Sequence, residues 1–184
     1  MTRTTIRATD HHRHRRPLRT HGERFCVAAS PIGDLLLLRT ERGLSGLYLL
    51  GLANSPAIEP GWVEDDEAFA EVRAQLDEYF AGTRTSFEVA LDLEGTAFQR
   101  SVWEGLLAIP FGKTESYGEL AERIGRPGAF RAVGLANGRN PVSIIVPCHR
   151  VIGADGSLTG YGWGTERKRW LLDLEAVRQP TGSK

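Results

Sequence analysis

Ten residues, Ile144-Ile145-Val146-Pro147-Cys148-His149-Arg150-Val151-Ile152-Gly153, constrain this chain more than any others. An apolar run that reads as a strand meets a proline, which has no amide to give to a sheet ladder and biases Val146 toward an extended conformation. The strand is therefore expected to stop at Cys148, with a thiol at its end. A cysteine after an apolar strand is ordinarily a packed small hydrophobe, but proline, histidine and arginine are poor company for a core position. With His149 and Arg150 beside it, the sulfur is expected to sit in an electropositive setting of the kind that lowers a thiol pKa. Cys148 is the candidate nucleophile. Cys26, inside the apolar run Phe25 to Ala29, reads as core and carries no expected chemistry.

The chain has 184 residues, enough for one domain or two small ones, with 23 Lys and Arg against 23 Asp and Glu. Overall charge therefore gives no general invitation to nucleic acid, and a basic surface has to come from distribution. From Ser116 to Arg169 the bases Arg123, Arg126, Arg131, Arg139, Arg150, Arg167, Lys168 and Arg169 face only Glu119, Glu122, Asp155 and Glu166, whereas Glu59 to Glu88 is acidic. Two cysteines in unlike contexts point away from a disulfide framework and toward a reducing compartment. No apolar run approaches the roughly eighteen residues of a membrane span. A cytoplasmic protein is expected, nucleoid-associated in a bacterium or nuclear in a eukaryote.

Residues 1–22, rich in Thr, Arg and His, read as a disordered tail with too little apolar content to offset the entropy of ordering. His11, His12, His14 and His21 lack a carboxylate or thiol in fixed geometry, so no metal site is assigned there. Residues 23–92 read as a small antiparallel sheet plus one helix. Strands are expected at Arg24 to Ala29, Asp34 to Thr40 and Leu44 to Leu50. A helix is expected over Asp65 to Gly82, with Phe69, Val72, Leu76, Tyr79 and Phe80 on one core-facing stripe and Gly82 as its stop. Thr83 to Leu93 is an extended passage into a second, mostly helical domain at 93–178, and 179–184 forms a short tail.

In that second domain Thr96 and Gln99 make a capping-box pattern for a helix ending before Pro110, and Ser116 with Glu119 repeats it. The helix begun at Ser116 directs Leu120 and Ile124 inward and stops at Gly125. Pro127 then reads as the first residue of the next helix, which runs to about Asn137. Two short helices joined by a tight glycine-containing turn form a helix-turn-helix. The second helix carries Ala129, Ala132, Gly134, Ala136 and Gly138 with Arg131, small residues that suit close approach to a neighbouring helix or to a ligand surface.

Pro147-Cys148-His149-Arg150-Val151, together with Arg131-Ala132-Val133-Gly134 and Asn140-Pro141, is similar to the O6-alkylguanine-DNA alkyltransferase family. The resemblance is dense from about Gly95 to Glu175 and loose before it. It implies a ribonuclease-H-like fold for the N-terminal domain. It implies irreversible, single-use transfer of a methyl or alkyl group from O6-alkylguanine, or O4-alkylthymine, in double-stranded DNA to Cys148. The protein is then a monomer without metal or organic cofactor, bound through the minor groove by the second helix of the motif.

By the same resemblance, His149 acts on Cys148 through a bridging water. It is oriented by Glu175 rather than by Asp155, Glu166 or Asp173, which sequence alone leaves open. Asn140 braces the active-site turn, and Tyr117 donates to the flipped guanine. Arg131 replaces the extruded base, with Ala129, Ala132 and Gly134 on the same DNA-binding surface. The carbonyls of Cys148 and Val151 read the guanine amino group, and Tyr161, Gly162 and Trp163 wall the pocket. Trp163 stands where many relatives carry glycine, so the pocket is expected to take methyl better than benzyl groups. Two other functions fit parts of the pattern: a non-catalytic sensor of alkylated DNA, opposed by the presence of Cys148, and a Cys-His hydrolase, which leaves the helix-turn-helix unexplained.

Overall fold

In the computed structural model, which describes residues 24–158 and 160–177, the chain forms a small sheet region followed by a mostly helical one. The expected tails at 1–22 and 179–184, and the histidines of the first, lie outside the described residues. Strands β1 (Arg24–Ala28), β2 (Leu35–Thr40) and β3 (Gly43–Leu49) form an antiparallel meander. A two-residue strand β4 (Val63–Glu64) pairs parallel to β1, giving the order β3-β2-β1-β4 and a mixed sheet rather than the purely antiparallel one expected.

The run Leu35-Leu36-Leu37-Leu38 is buried throughout because alternate residues enter two different clusters. Leu35 and Leu37 join the main core, while Leu36 and Leu38 pack with Phe25 on the other face, under Tyr48, Leu50 and Trp62. With a period of two, both faces must be covered for such a run to be stable.

Helix α1 (Ala70–Ala81) follows a 3-10 turn at Glu67–Phe69, where the Asp65 side chain accepts from the Ala68 amide at 3.0 Å. Its stripe Phe69, Val72, Leu76 and Tyr79 is buried, and Gly82 ends it in the left-handed conformation at φ 74°. The second region contains α2 (Ala97–Leu107), α3 (Tyr117–Arg123), α4 (Phe130–Gly138) and α5 (Thr165–Val177). Both expected capping boxes close reciprocally, Thr96 with Gln99 and Ser116 with Glu119.

Two further expectations are corrected. Pro127 is not the first residue of α4, which begins at Phe130, because Gly125 and Gly128 take positive φ (71° and 78°) and carry the chain through a longer turn. Nor do residues 144–147 form a strand. Val142 makes one isolated bridge to Leu47, Ile144 turns into the left-handed region at φ 71°, and Cys148–Arg150 form a 3-10 turn.

Candidate active site

Asn140 explains why the chain before Cys148 turns rather than extends. Its Nδ2 donates to the Val146 carbonyl at 2.7 Å and its Oδ1 accepts from the Val142 amide at 3.0 Å. One side chain thus replaces the ladder partners that a strand would have needed. The turn is pinned from outside by β3, since the Leu47 amide donates to Pro141 O at 2.8 Å and the Ser143 amide to Leu47 O at 3.3 Å. A two-strand parallel pair, β5 (Glu115–Ser116) with β6 (Val151–Ile152), brings the start of α3, and with it Tyr117, alongside the residues following Cys148.

The carboxylate of Glu175, fully buried on α5, gathers five donors. Its Oε1 lies 2.8 Å from His149 Nε2, 2.8 Å from the Tyr79 hydroxyl and 3.0 Å from Arg150 Nη2. Its Oε2 accepts from Arg150 Nε at 2.9 Å and from the Gly112 amide at 3.0 Å. Arg150 Nη1 donates onward to Ile109 O at 2.7 Å. Of the four carboxylates that sequence alone left open, Glu175 is the one in contact with His149. The ring's other nitrogen, Nδ1, is buried and has no protein partner among the described residues.

Burial sets the protonation of each group. At His149 it outweighs the pull of Glu175 and lowers the imidazole pKa, so the ring is neutral at neutral pH. Burial alone would raise the Glu175 carboxyl, yet the hydrogen bonds and charges of His149 and Arg150 hold it well below the usual carboxylate range. With His149 neutral, the permanent cation Arg150 is what keeps that carboxylate ionised.

Cys148 departs from expectation. Its thiol pKa is raised, because burial dominates over the lowering contributions of Asn140, Ser143 and Lys168. The electropositive setting foreseen from His149 and Arg150 is not there: His149 is neutral, and the Arg150 guanidinium is turned toward Glu175. Lys168 is the cation that acts on the sulfur, and its own pKa is lowered by burial.

Cys148 lies at a cavity of about 10 Å³, roughly room for one water molecule, lined also by Asn54, Asn137, Asn140, Tyr161, Gly162 and Trp163. Sγ is 3.8 Å from Ser143 Oγ. Trp163 is buried, with its ring 6.0 Å from that of Tyr161. Tyr117 is half-buried, and burial followed by the charge of a Cys148 thiolate raises its phenol. On α4, Arg131 and Ala132 are exposed, Ala129 just before the helix is partly so, and the Arg131 guanidinium lies over the Phe130 ring at 5.6 Å. Gly134 does not share that outer face: a Cβ there would meet the Tyr117 ring at 3.7 Å, so its smallness serves contact between α3 and α4.

Several residues of the site carried no sequence signal of their own. Asn137 Nδ2 donates to Cys148 O at 3.3 Å, and the fully buried Lys168 Nζ to Val151 O at 2.6 Å, so each of these carbonyls is held by a side chain from a different helix. Tyr79 read only as core. Arg150 read as a partner of the sulfur and is instead the clamp of Glu175. These placements are settled only in three dimensions. Among the described residues no three His, Cys, Asp or Glu side chains gather as a metal would require.

Known proteins share this arrangement of a sheet region and a helical region. Residues 97–177 match the DNA binding domain of 6-O-methylguanine DNA methyltransferase, and residues 24–93 its ribonuclease-like domain. The methylated-DNA–protein-cysteine methyltransferase of Mycobacterium tuberculosis H37Rv is 56% identical over 151 residues, 82% of this chain and 91% of that protein. The Methanosarcina acetivorans protein of the same name is 52% identical over 151 residues, covering 82% and 97%. The crystal structure of Mycobacterium tuberculosis OGT in complex with DNA superposes with a TM-score of 0.78 at 53% identity, spanning 87% of this chain and 96% of that one. Identity above one half, sustained through both regions and matched by the fold, leaves one conclusion: the chain belongs to the methylated-DNA–protein-cysteine methyltransferase family.

Proposed function

We propose that this protein repairs DNA by direct reversal, Cys148 accepting the methyl or alkyl group of O6-alkylguanine from duplex DNA in a reaction each molecule performs once. The observation that carries the reading is the buried Glu175–His149 pair, which leaves Nδ1 of a neutral imidazole as a proton acceptor next in sequence to a cavity-lining thiol. Because burial raises the Cys148 pKa, the resting sulfur is a thiol and attack needs a base at that moment. A bridging water passes the thiol proton to His149, whose imidazolium Glu175 then stabilises. The sulfur electron pair forms the S–C bond while C–O6 breaks. Tyr117, kept protonated by its raised pKa, gives its proton to the departing guanine, and the proton held by His149 returns through water to the phenolate, so thiol and alkylguanine become thioether and neutral guanine.

DNA is the partner, gripped through the minor groove by α4, where Arg131 enters the stack in place of the extruded base. Flipping an ordinary base costs a few kcal/mol, and a stacked guanidinium offsets part of that. The carbonyls of Cys148 and Val151, steadied by Asn137 and Lys168, read the guanine amino group. Gly160, Tyr161, Gly162 and Trp163 wall the pocket beside Cys148 that receives the alkylated base. Asn140 braces the turn. The protein acts as a monomer in two domains, about 23–92 and 93–178. Among the described residues no helix is long and apolar enough to cross a membrane.

Incubation with a duplex containing O6-methylguanine is expected to add one methyl to the peptide carrying Cys148, and Cys148→Ser to abolish this while leaving DNA affinity largely intact. Methyl found on another residue, or undiminished demethylation by the serine variant, would overturn the reading. Trp163 narrows the cavity, so benzylguanine is expected to label Cys148 slowly and Trp163→Gly to speed that labelling; equal rates in both proteins would remove the tryptophan from the account.

A further inference from the structure

We propose that Tyr79, from the N-terminal domain, is a positioning residue of the alkyl-transfer relay: its phenol donates to the same Glu175 oxygen that orients His149 and thereby sets the basicity of that histidine. The proposal rests on the reading of His149 as the base. Tyr79 and Glu175 are 96 positions apart, and the hydroxyl meets Oε1 at 2.8 Å in a fully buried setting. The ring is held from three sides by Phe80, Phe87 and Phe111, with centroids 5.5, 5.4 and 6.2 Å away. The last turn of α1 therefore delivers a fixed donor to the carboxylate.

A buried phenol needs an acceptor, so a purely structural role would also place a hydroxyl here. The difference lies in which oxygen it uses. Oε1 is shared with His149 Nε2 and Arg150 Nη2, whereas Oε2 accepts from Arg150 Nε and the Gly112 amide. Each donor on Oε1 draws charge away from the face turned to the imidazole. The ionisable groups facing Glu175 are Tyr79 from α1, His149 and Arg150 from the 3-10 turn, and Tyr161 from the loop before α5, a buried phenol that also feels the charge of Tyr79. Lys168, on α5 itself, also acts on His149. Burial and the Glu175 charge both raise the Tyr79 phenol well above its ordinary value, so it remains a donor throughout the working pH range.

Removing that donor leaves more negative charge facing Nε2–H, stabilises the imidazolium and raises the His149 pKa. The neutral base is then available only at higher pH. For Tyr79→Phe, which keeps the ring, the rising limb of the methyl-transfer rate against pH should move upward by about half to one pH unit, with the plateau within roughly twofold. Phe87→Leu, a packing change beside the same ring, should lower the thermal midpoint and leave the limb where it is.

An NMR titration of the His149 imidazole in the DNA-free full-length variants reads the same shift without any reaction. Site-specific 3-fluorotyrosine at position 79, a stronger donor, should move the midpoint in the opposite direction. Identical His149 midpoints in wild type and Tyr79→Phe, or a shift no larger than that of Phe87→Leu, would overturn the proposal. Absence of transfer by the wild type would instead sink the function proposed above, and the titration would still decide this one.

Discussion

The two halves of the molecule bury different chemistry. Tyrosine hydroxyls aside, among the described residues before position 94 the buried polar side chains are Gln75 and Asp92; after it they are Asn137, Asn140, Ser143, His149, Arg150, Lys168 and Glu175. The sheet region is held by hydrocarbon, above all the leucines of β2 and β3, each fully buried side chain contributing about 1.5–3 kcal/mol. The helical region places four ionisable groups where burial is costly, and tolerates them because Glu175 accepts from His149, Arg150, Tyr79 and the Gly112 amide while Lys168 donates to Val151 O. A hydrogen-bonded cluster of buried ionisable groups is thus built beside a conventional core, and the hydroxyl of Tyr79 reaches from one to the other.

That contrast can be broken most severely at Arg150. Replacing it with Ala strands the Glu175 carboxylate and should lower unfolding stability by about 3–5 kcal/mol in denaturant titrations, with methyl transfer impaired in the molecules that remain folded. Leu37→Ala in the sheet should cost a comparable or smaller ~2–5 kcal/mol, but transfer per folded molecule should stay unchanged. If Leu37→Ala slowed the chemistry as much as Arg150→Ala, the division between scaffold and site would be wrong.

Acid sharpens the same contrast. His149 has a folded pKa below its ordinary 6.5, so below that pH the unfolded chain binds the extra proton and stability falls. Glu175, depressed from 4.5, adds a second loss once the pH drops below that value. Each proton contributes at most about 1.4 kcal/mol per pH unit. Denaturation midpoints measured from pH 7 to 4 should show the first loss in the wild type and not in His149→Gln. The smallest effect is expected at Thr96→Ala, which removes one side of a capping box and should cost about 1 kcal/mol with normal transfer rates.

How much of this was legible in advance depended on the range of the interactions. The capping boxes at Thr96 and Ser116, the stripe Phe69, Val72, Leu76 and Tyr79, and the stop at Gly82 were read correctly because each is written within one or two turns of helix. The turn before Cys148 is not legible in this way. Its apolar residues resemble a buried strand, and nothing nearby reveals that Asn140 supplies their hydrogen-bond partners. The start of α4 was misplaced because Pro127 suits a first helical turn, while two glycines in left-handed conformations held the chain open beyond it.

By itself, then, the sequence determined the helix boundaries marked by caps, the alternation of the leucine strands, the candidate nucleophile and the family. Only the tertiary structure decided what surrounds that nucleophile: a thiol raised by burial instead of lowered by neighbouring bases, Arg150 turned onto Glu175, and Tyr79 and Lys168 brought in from opposite ends of the fold. The reason is physical. Helix caps and burial patterns depend on residues a few positions apart, whereas desolvation and hydrogen-bond competition for one carboxylate depend on side chains separated by up to 96 positions, which no local pattern encodes.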